Sequence, residues 1–327
     1  MVRLSLAYDM RAPDFGASAG RLYAAMLDQC AWGDANGFHN VIFMEHHASN
    51  DGYLPSPIVA ASAAAARTKQ MRIGISLMLL PLYHPLRAAE DLAVLDLICG
   101  GRLTLVVGLG YREEEYEQFG LNYRKRPSMM EAAVATLRQA WTGEPFEYEG
   151  RTVRILPRPF QPGGPKIIMG GTSDAAAKRA ARIADGFAPV AAKFFETYRN
   201  ELESLGKPVP PPMPAPEERA MFIHVSRDPD RAWAKIAPHA LHETNEYGAW
   251  AKGDPEYPYQ PTTDADSLRR SGMYRVLTPE ECVEFALKTG GLGLKPTMGG
   301  LDPDVAAECL DLVEREVLPA LKARGAL

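Results

Sequence analysis

Short apolar runs alternate with longer amphipathic ones along the chain. The short runs predict strands at 2–9, 40–45, 71–79, 103–109, 166–171, 186–190, 219–226 and 292–297. The longer ones predict helices at 20–36, 56–68, 85–99, 126–142, 173–184, 192–205, 278–289 and 303–323. Strands alternating with helices in this way predict a parallel α/β sheet, doubly wound or closed into a barrel. Leu103-Thr104-Leu105-Val106-Val107 is nearly continuous in apolar character, as a strand covered on both faces should be. The end signals agree. Gly37 follows the first helix as a C-terminal cap, Pro57 opens the second, and Thr172 or Ser173 precedes an Ala-rich helix. Thr278 before Pro279-Glu280-Glu281 joins an N-cap to a proline and first-turn acids.

Two segments break the alternation inside what is expected to be one domain spanning 1–327. Residues 143–165, rich in Gly, Pro and aromatics, suggest a small hairpin excursion. Residues 241–276 are polar, aromatic and proline-containing, and are expected to form an irregular, mobile insertion or lid. Pro208–Pro216 suits a stiff connector. No internal repeat of fixed period is present.

Composition narrows the function classes. The 327 residues are 46% apolar, enough for a large core, and 36 basic against 41 acidic residues give a net charge of −5. Without a long basic run, a nucleic-acid footprint is not indicated. The N-terminal stretch is too poor in apolar residues for a signal peptide, and no uninterrupted apolar run is long enough for a membrane span. Cys30, Cys99, Cys282 and Cys309 form no C-x-x-C pair, so free, buried thiols in a cytoplasmic enzyme are expected.

Candidate chemistry starts at Glu45-His46-His47, which ends the second predicted strand. In a barrel, polar residues at strand C-termini face the active-site mouth. Histidine can donate or accept a proton near neutral pH. Strand alternation points only one of two adjacent histidines inward. No metal site is expected, because neither this pair nor His242-Glu243 has helical zinc-ligand spacing. Gly108-Leu109-Gly110-Tyr111 superficially suggests a dinucleotide loop, but Glu113 stands where the third glycine should be, and the acids of 113–115 repel pyrophosphate. Gly170-Gly171-Thr172-Ser173, between a strand and a helix, suits an anion site. The same residues would equally serve a tight strand-to-helix turn. His84, between two prolines after the third strand, is assigned a structural role.

These pieces occur in an order that resembles the bacterial luciferase-like monooxygenase family. The matching stretches are Gly37-Phe38 to Glu45-His46-His47, Leu80-Pro81 to His84-Pro85, Leu95-Asp96 with Gly100-Gly101-Arg102, and Gly108 to Tyr111 with Phe119-Gly120. Gly170 to Ser173, Ala184 to Phe187 and Leu318 to Leu321 complete the set, so the resemblance covers nearly the whole chain. It implies a TIM-type (β/α)8 barrel with insertion segments that binds reduced flavin at its C-terminal rim. His46 would lie by the flavin, suited to proton transfer or to hydrogen-bonding an oxygenated flavin. The flavin phosphate would lie on Gly171, Thr172 and Ser173, with Ser76, Leu77, Leu109, Gly110, Tyr111 and Gly170 completing the cofactor site. A cis peptide would fall at Ser76–Leu77.

One departure stands out. Members often carry a phosphate-binding arginine where this chain has Leu109, and leucine cannot replace it. A related deazaflavin-dependent branch resembles the stretch from Gly110 to Glu115. The expected function is a monooxygenase using reduced FMN and oxygen on a small organic substrate, with a separate NAD(P)H-flavin reductase. A homodimer is implied by the resemblance. The alternatives are a deazaflavin-dependent hydride-transfer enzyme and a non-catalytic flavin-binding or structural homologue. Tyr8, Tyr111, Tyr247 and Trp250 are candidate pocket walls, with substrate entering under 241–276.

Overall fold

The computed structural model describes residues 1–213, 220–251 and 257–327. Strand β1 (Arg3–Tyr8) leads to α1 (Ala19–Ala35), and β2 (Asn40–Phe43) to α2 (Pro57–Arg67). Next come β3 (Arg72–Met78), α3 (Pro85–Ile98), β4 (Leu103–Val107), α4 (Glu113–Gln118) and α5 (Arg126–Ala140). A hairpin of β5 (Phe146–Tyr148) and β6 (Arg151–Val153) precedes β7 (Ile167–Gly171), α6 (Asp174–Ile183), β8 (Gly186–Pro189) and α7 (Ala192–Ser204). The C-terminal third holds β9 (Phe222–Val225), α8 (Pro229–Trp250), α9 (Ala265–Arg270), β10 (Tyr274–Leu277) and α10 (Pro279–Thr289). It ends with β11 (Gly291–Leu294), α11 (Pro303–Leu312) and α12 (Leu318–Ala323). The chain divides into two compact units.

The first unit holds Met1–Ile42, Ser49–Leu54 and the described residues of 217–327. In it β1 lies between β11 and β2, and pairs with β11 in parallel, Leu4 opposite Leu292 and Leu6 opposite Leu294. Alternate residues of β1, Leu4, Leu6 and Tyr8, are buried, the period of two that a strand imposes. β9 and β10 pair in parallel, Phe222 opposite Tyr274. A core of Phe222, Trp233, Ile236, Tyr274, Met298 and Leu301 fastens α8 to them. Each such side chain contributes roughly 1.5–3 kcal/mol by leaving water.

Here the structure corrects the sequence reading. Residues 229–250 are one 22-residue helix, so the first ten residues of the expected irregular insertion are helical. Interior Pro238 and a buried stripe containing His239, Glu243 and Thr244 hid the apolar period. Of the rest, 265–270 is helix and 274–277 strand, while the expectation for 252–256 lies outside the described residues. The same holds for residue 219 of the expected strand and for 214–216 of the proline connector.

The second unit holds Phe43–Ala48 and the described residues of 55–216. Its sheet has the order β3-β4-β7-β8, all parallel, with Ile73 opposite Leu103, Leu105 opposite Ile167 and Ile168 opposite Gly186. Ile73, Ile75, Leu105, Val107, Ile167 and Met169 are buried. The small faces of α2 (Ala60, Ala61, Ala64) and α3 (Ala88, Ala89, Ala93) are buried too. The register slips between Ser76 and Met78, and the Ser76–Leu77 peptide is cis, as expected. The hairpin expected in 143–165 is β5–β6. Among the described residues, no helix is long and apolar enough to cross a membrane.

Candidate functional site

The site grows from strand ends of the second unit. Glu45, His46 and His47 are all buried, although they are titratable. The histidines find separate carboxylates. His46 Nδ1 lies 2.8 Å from Glu115 Oε1, and His47 Nε2 lies 2.8 Å from Glu45 Oε1. The pairing answers the question that adjacent histidines raise, because the two rings serve different partners.

Glu115, fully buried in the first turn of α4, is the residue that sequence reasoning missed. Its Oε1 also accepts the His47 backbone N–H at 2.9 Å. Arg112 stands 3.6 Å from the same oxygen and donates to the His47 and Ala48 carbonyls at 2.5 and 3.1 Å. Those bonds hold the 45–48 turn, in which Ala48 takes a left-handed φ of 50°. Glu115 Oε2 has no hydrogen-bond partner among the described residues. Tyr111 meets the His46 ring edge-on, with centroids 5.5 Å apart.

Glu45 organises the neighbouring strand end. Its Oε2 accepts the Leu79 N–H at 2.7 Å and its Oε1 the Tyr83 hydroxyl at 2.8 Å. Burial first, and then the Glu45 charge, pushes the Tyr83 hydroxyl well above its usual range, so it remains a donor. His47 and Tyr83 also line a cavity of about 960 Å³ with Ile58, Val59, Leu82 and Phe119.

A flat apolar ledge forms where β3, β4 and β7 end. A Cβ on Gly108 would come within 2.6 Å of the Leu77 side chain, and one on Gly170 within 2.4 Å. Only glycine lets Leu77 lie down across both strands. Gly171 is equally constrained, since its Cβ would meet that of Ala176 at 2.4 Å. Beyond it, Ser173 caps α6, its hydroxyl accepting the Ala176 N–H at 3.2 Å. Asp174 sits in the same first turn and accepts from the Thr197 hydroxyl at 2.7 Å. The anion-site and turn readings of Gly170–Ser173 thus share one geometry.

The loop at Leu109 has a cation behind it. Tyr116 donates to the Leu109 carbonyl at 2.5 Å, and Tyr123 to that of Tyr111 at 3.0 Å. Arg126 lies over the Tyr123 ring, 3.6 Å from its centroid, and its charge acts on the Tyr116 hydroxyl. The Arg126 Nε is buried with no hydrogen-bond partner among the described residues. Sequence reasoning did not single out Arg126, because it is one of three basic residues in a row.

The structure thus brings His46 beside Tyr111, Leu77 onto Gly170, and the Leu109–Tyr111 loop against Tyr116 and Tyr123. Tyr8 is core, its hydroxyl donating to Gln29 at 3.0 Å. Tyr247 and Trp250 belong to the other unit and pack there around Arg11.

The residues fit a flavin-type group: a ledge for a flat ring system, a buried acid–base pair, a cationic N–H with no hydrogen-bond partner among the described residues, and a helix N-terminus with hydroxyls. Comparison with known proteins agrees. The model of the family described as luciferase-like monooxygenase matches residues 11–290. An F420-dependent glucose-6-phosphate dehydrogenase of Beutenbergia cavernae is 28% identical, covering 98% of both chains. The oxygenase component of a flavin-dependent trigonelline monooxygenase of Acinetobacter baylyi is 27% identical over 51% of this chain and 48% of its own. For several such relatives the matched stretch spans only about half their length. The solved monooxygenase RslO1 of Streptomyces bottropensis superposes with a TM-score of 0.75 at 23% identity, covering 98% of this chain and 99% of that one. The shared fold is the α/β fold of TIM-barrel type that the family resemblance implies, one of the two forms the alternation of strands and helices left open. The chain belongs to the luciferase-like monooxygenase family.

Proposed function

We propose that this oxidoreductase is the oxygenase half of a two-component FMN monooxygenase acting on a small organic substrate in the cytoplasm. A separate NAD(P)H-flavin reductase supplies reduced FMN, and the chain works as a homodimer. The observation that carries the reading is the buried His46–Glu115 pair, held beside Tyr111. Reduced FMN, when bound, supplies the electrons that activate oxygen.

The protein's own part is positioning and proton transfer. Glu115 fixes the His46 ring through Nδ1, so Nε2 is the atom through which a proton passes. The carboxylate also stabilises the ring once it is protonated. Leu77 on Gly108 and Gly170 would support the flat face of the ring system, and Ser76, Gly110 and Tyr111 would border it. Thr172, Ser173 and the N–H groups opening α6 would take the phosphate, beside the backbone of Gly171. Arg126 would supply the charge that Leu109 cannot. The homodimer is supported by α3, which exposes Val94, Leu97 and Ile98 at helical spacing.

The test is titration with reduced FMN and, separately, with a reduced deazaflavin. FMN binding with oxygen uptake, and His46→Ala losing about 10²–10⁴-fold in turnover while still binding FMN, is the expected result. Binding of the deazaflavin alone would move the protein to the hydride-transfer branch, and binding of neither to a non-catalytic homologue.

A further inference from the structure

A second polar cluster lies wholly within the first unit, at the C-terminal ends of β1 and β11. Asp9 and Arg11 follow β1, Lys295 follows β11, Asp51 and Tyr53 come from 49–54, and His242, Glu243, Tyr247 and Trp250 lie on α8. Arg11 Nη1 donates to Asp51 Oδ2, which also faces His242 Nε2 at 2.8 Å. Lys295 Nζ is 2.6 Å from Glu243 Oε1 and 3.4 Å from Asp9 Oδ2. Three rings enclose the Arg11 guanidinium, with centroids 4.7 Å (Tyr53), 4.8 Å (Tyr247) and 4.6 Å (Trp250) from its carbon. Tyr259 stacks on Tyr247 at 4.7 Å and makes a long 3.5 Å contact to Glu243.

Buried polar atoms are normally hydrogen-bonded. Four here have no hydrogen-bond partner among the described residues: Arg11 Nε and Nη2, Glu243 Oε2, and Asp9 Oδ2, which faces Lys295 Nζ at 3.4 Å. Arg11 and Glu243 are 0% exposed and Asp9 is 1% exposed. The pattern is two donors on one guanidinium edge and two carboxylate acceptors. Charge then selects the ligand. Arg11 and Lys295 already face Asp9, Asp51 and Glu243, so an anion would deepen an excess of carboxylate. A cation would meet Arg11 and Lys295. An uncharged group offering both an acceptor and a donor satisfies both halves.

We propose that this cluster binds the planar, uncharged amide or lactam group of a small aromatic molecule. Its carbonyl takes the Arg11 edge, its N–H takes the second oxygen of Glu243, and its ring joins Tyr53, Tyr247, Trp250 and Tyr259. Calling that molecule the substrate rests on the oxygenase reading; its binding does not.

Calorimetric titration of the full chain with benzamide, N,N-dimethylbenzamide, benzoate and toluene tests this. Benzamide should bind best, and removing its N–H or adding a negative charge should each weaken binding about tenfold. Glu243→Gln keeps an oxygen for Lys295 but turns an amide N–H toward the ligand. It should weaken benzamide about tenfold and leave the dimethyl analogue unchanged. Arg11→Lys should weaken both amides; if that variant does not fold, Glu243→Gln decides alone. Equal affinity for benzoate and benzamide, no heat with benzamide, or an indifferent Glu243→Gln variant would overturn the proposal. FMN binding without amide binding overturns this site alone, and amide binding without FMN binding overturns the oxygenase reading alone.

Discussion

At the scale of single residues, the sequence shows the candidate histidine but not its partner. His46 is legible because Glu45-His46-His47 ends an apolar run. Glu115 is not, because its bond to His46 spans 69 residues and it sits in a run of three acids that looks like dipole compensation. Arg126 was hidden for a similar reason. Its place shows only when Tyr116 and Tyr123 are seen to bond the Leu109–Tyr111 loop and Arg126 to lie over the Tyr123 ring. Arg126→Gln should therefore raise the FMN dissociation constant by about 10–100-fold, the value of one charge-assisted phosphate contact. Riboflavin, which lacks the phosphate, should bind the variant and the parent alike. Equal losses for both ligands, read by flavin fluorescence, would show that Arg126 only props up the loop.

At the scale of elements, strands and caps were legible where local chemistry decides them. Thr278 is the expected N-cap and closes a capping box with Glu281, and Gly37 takes a left-handed φ of 77°. α8 was not legible, because its buried stripe holds Glu243 and Thr244, which only a tertiary network makes tolerable. The ledge was half legible. Glycines mark close approach, but nothing local says that Leu77 is what approaches Gly108 and Gly170. This makes Gly170→Ala informative. The new methyl would meet the end of a flexible, 36% exposed leucine, which can swing outward at little cost. The melting temperature should shift by less than about 4 °C, the scale of 1 kcal/mol. FMN affinity should fall, because the ledge is no longer flat. A large loss of stability with unchanged affinity would place Leu77 in packing rather than in cofactor support.

At the scale of the whole molecule, the burial of His224 predicts that the fold loses stability in acid. His224 lies on β9, is 4% exposed and stacks on Phe222 with centroids 6.2 Å apart. Burial first, and then the charge of Lys235, lowers its pKa to about 4. Unfolded, the same side chain titrates near 6.5, so the unfolded chain binds the proton more readily. His224 therefore contributes stability that is fully present above about pH 6.5 and lost as pH falls through that value toward 4. A gap of about 2.5 pK units corresponds to roughly 3 kcal/mol over that window. Burial lowers His239 in the same direction. Asp51 acts below this window. Burial works to raise its pKa, but hydrogen bonds from His242 and the Arg11 charge outweigh it and hold the carboxylate ionised well below its usual range. Urea midpoints at pH 7 and pH 4.5 separate the contributions. The parent should lose several kcal/mol between the two, and His224→Leu should lose about 2–3 kcal/mol less. Equal losses in both proteins would mean that another group carries the acid sensitivity.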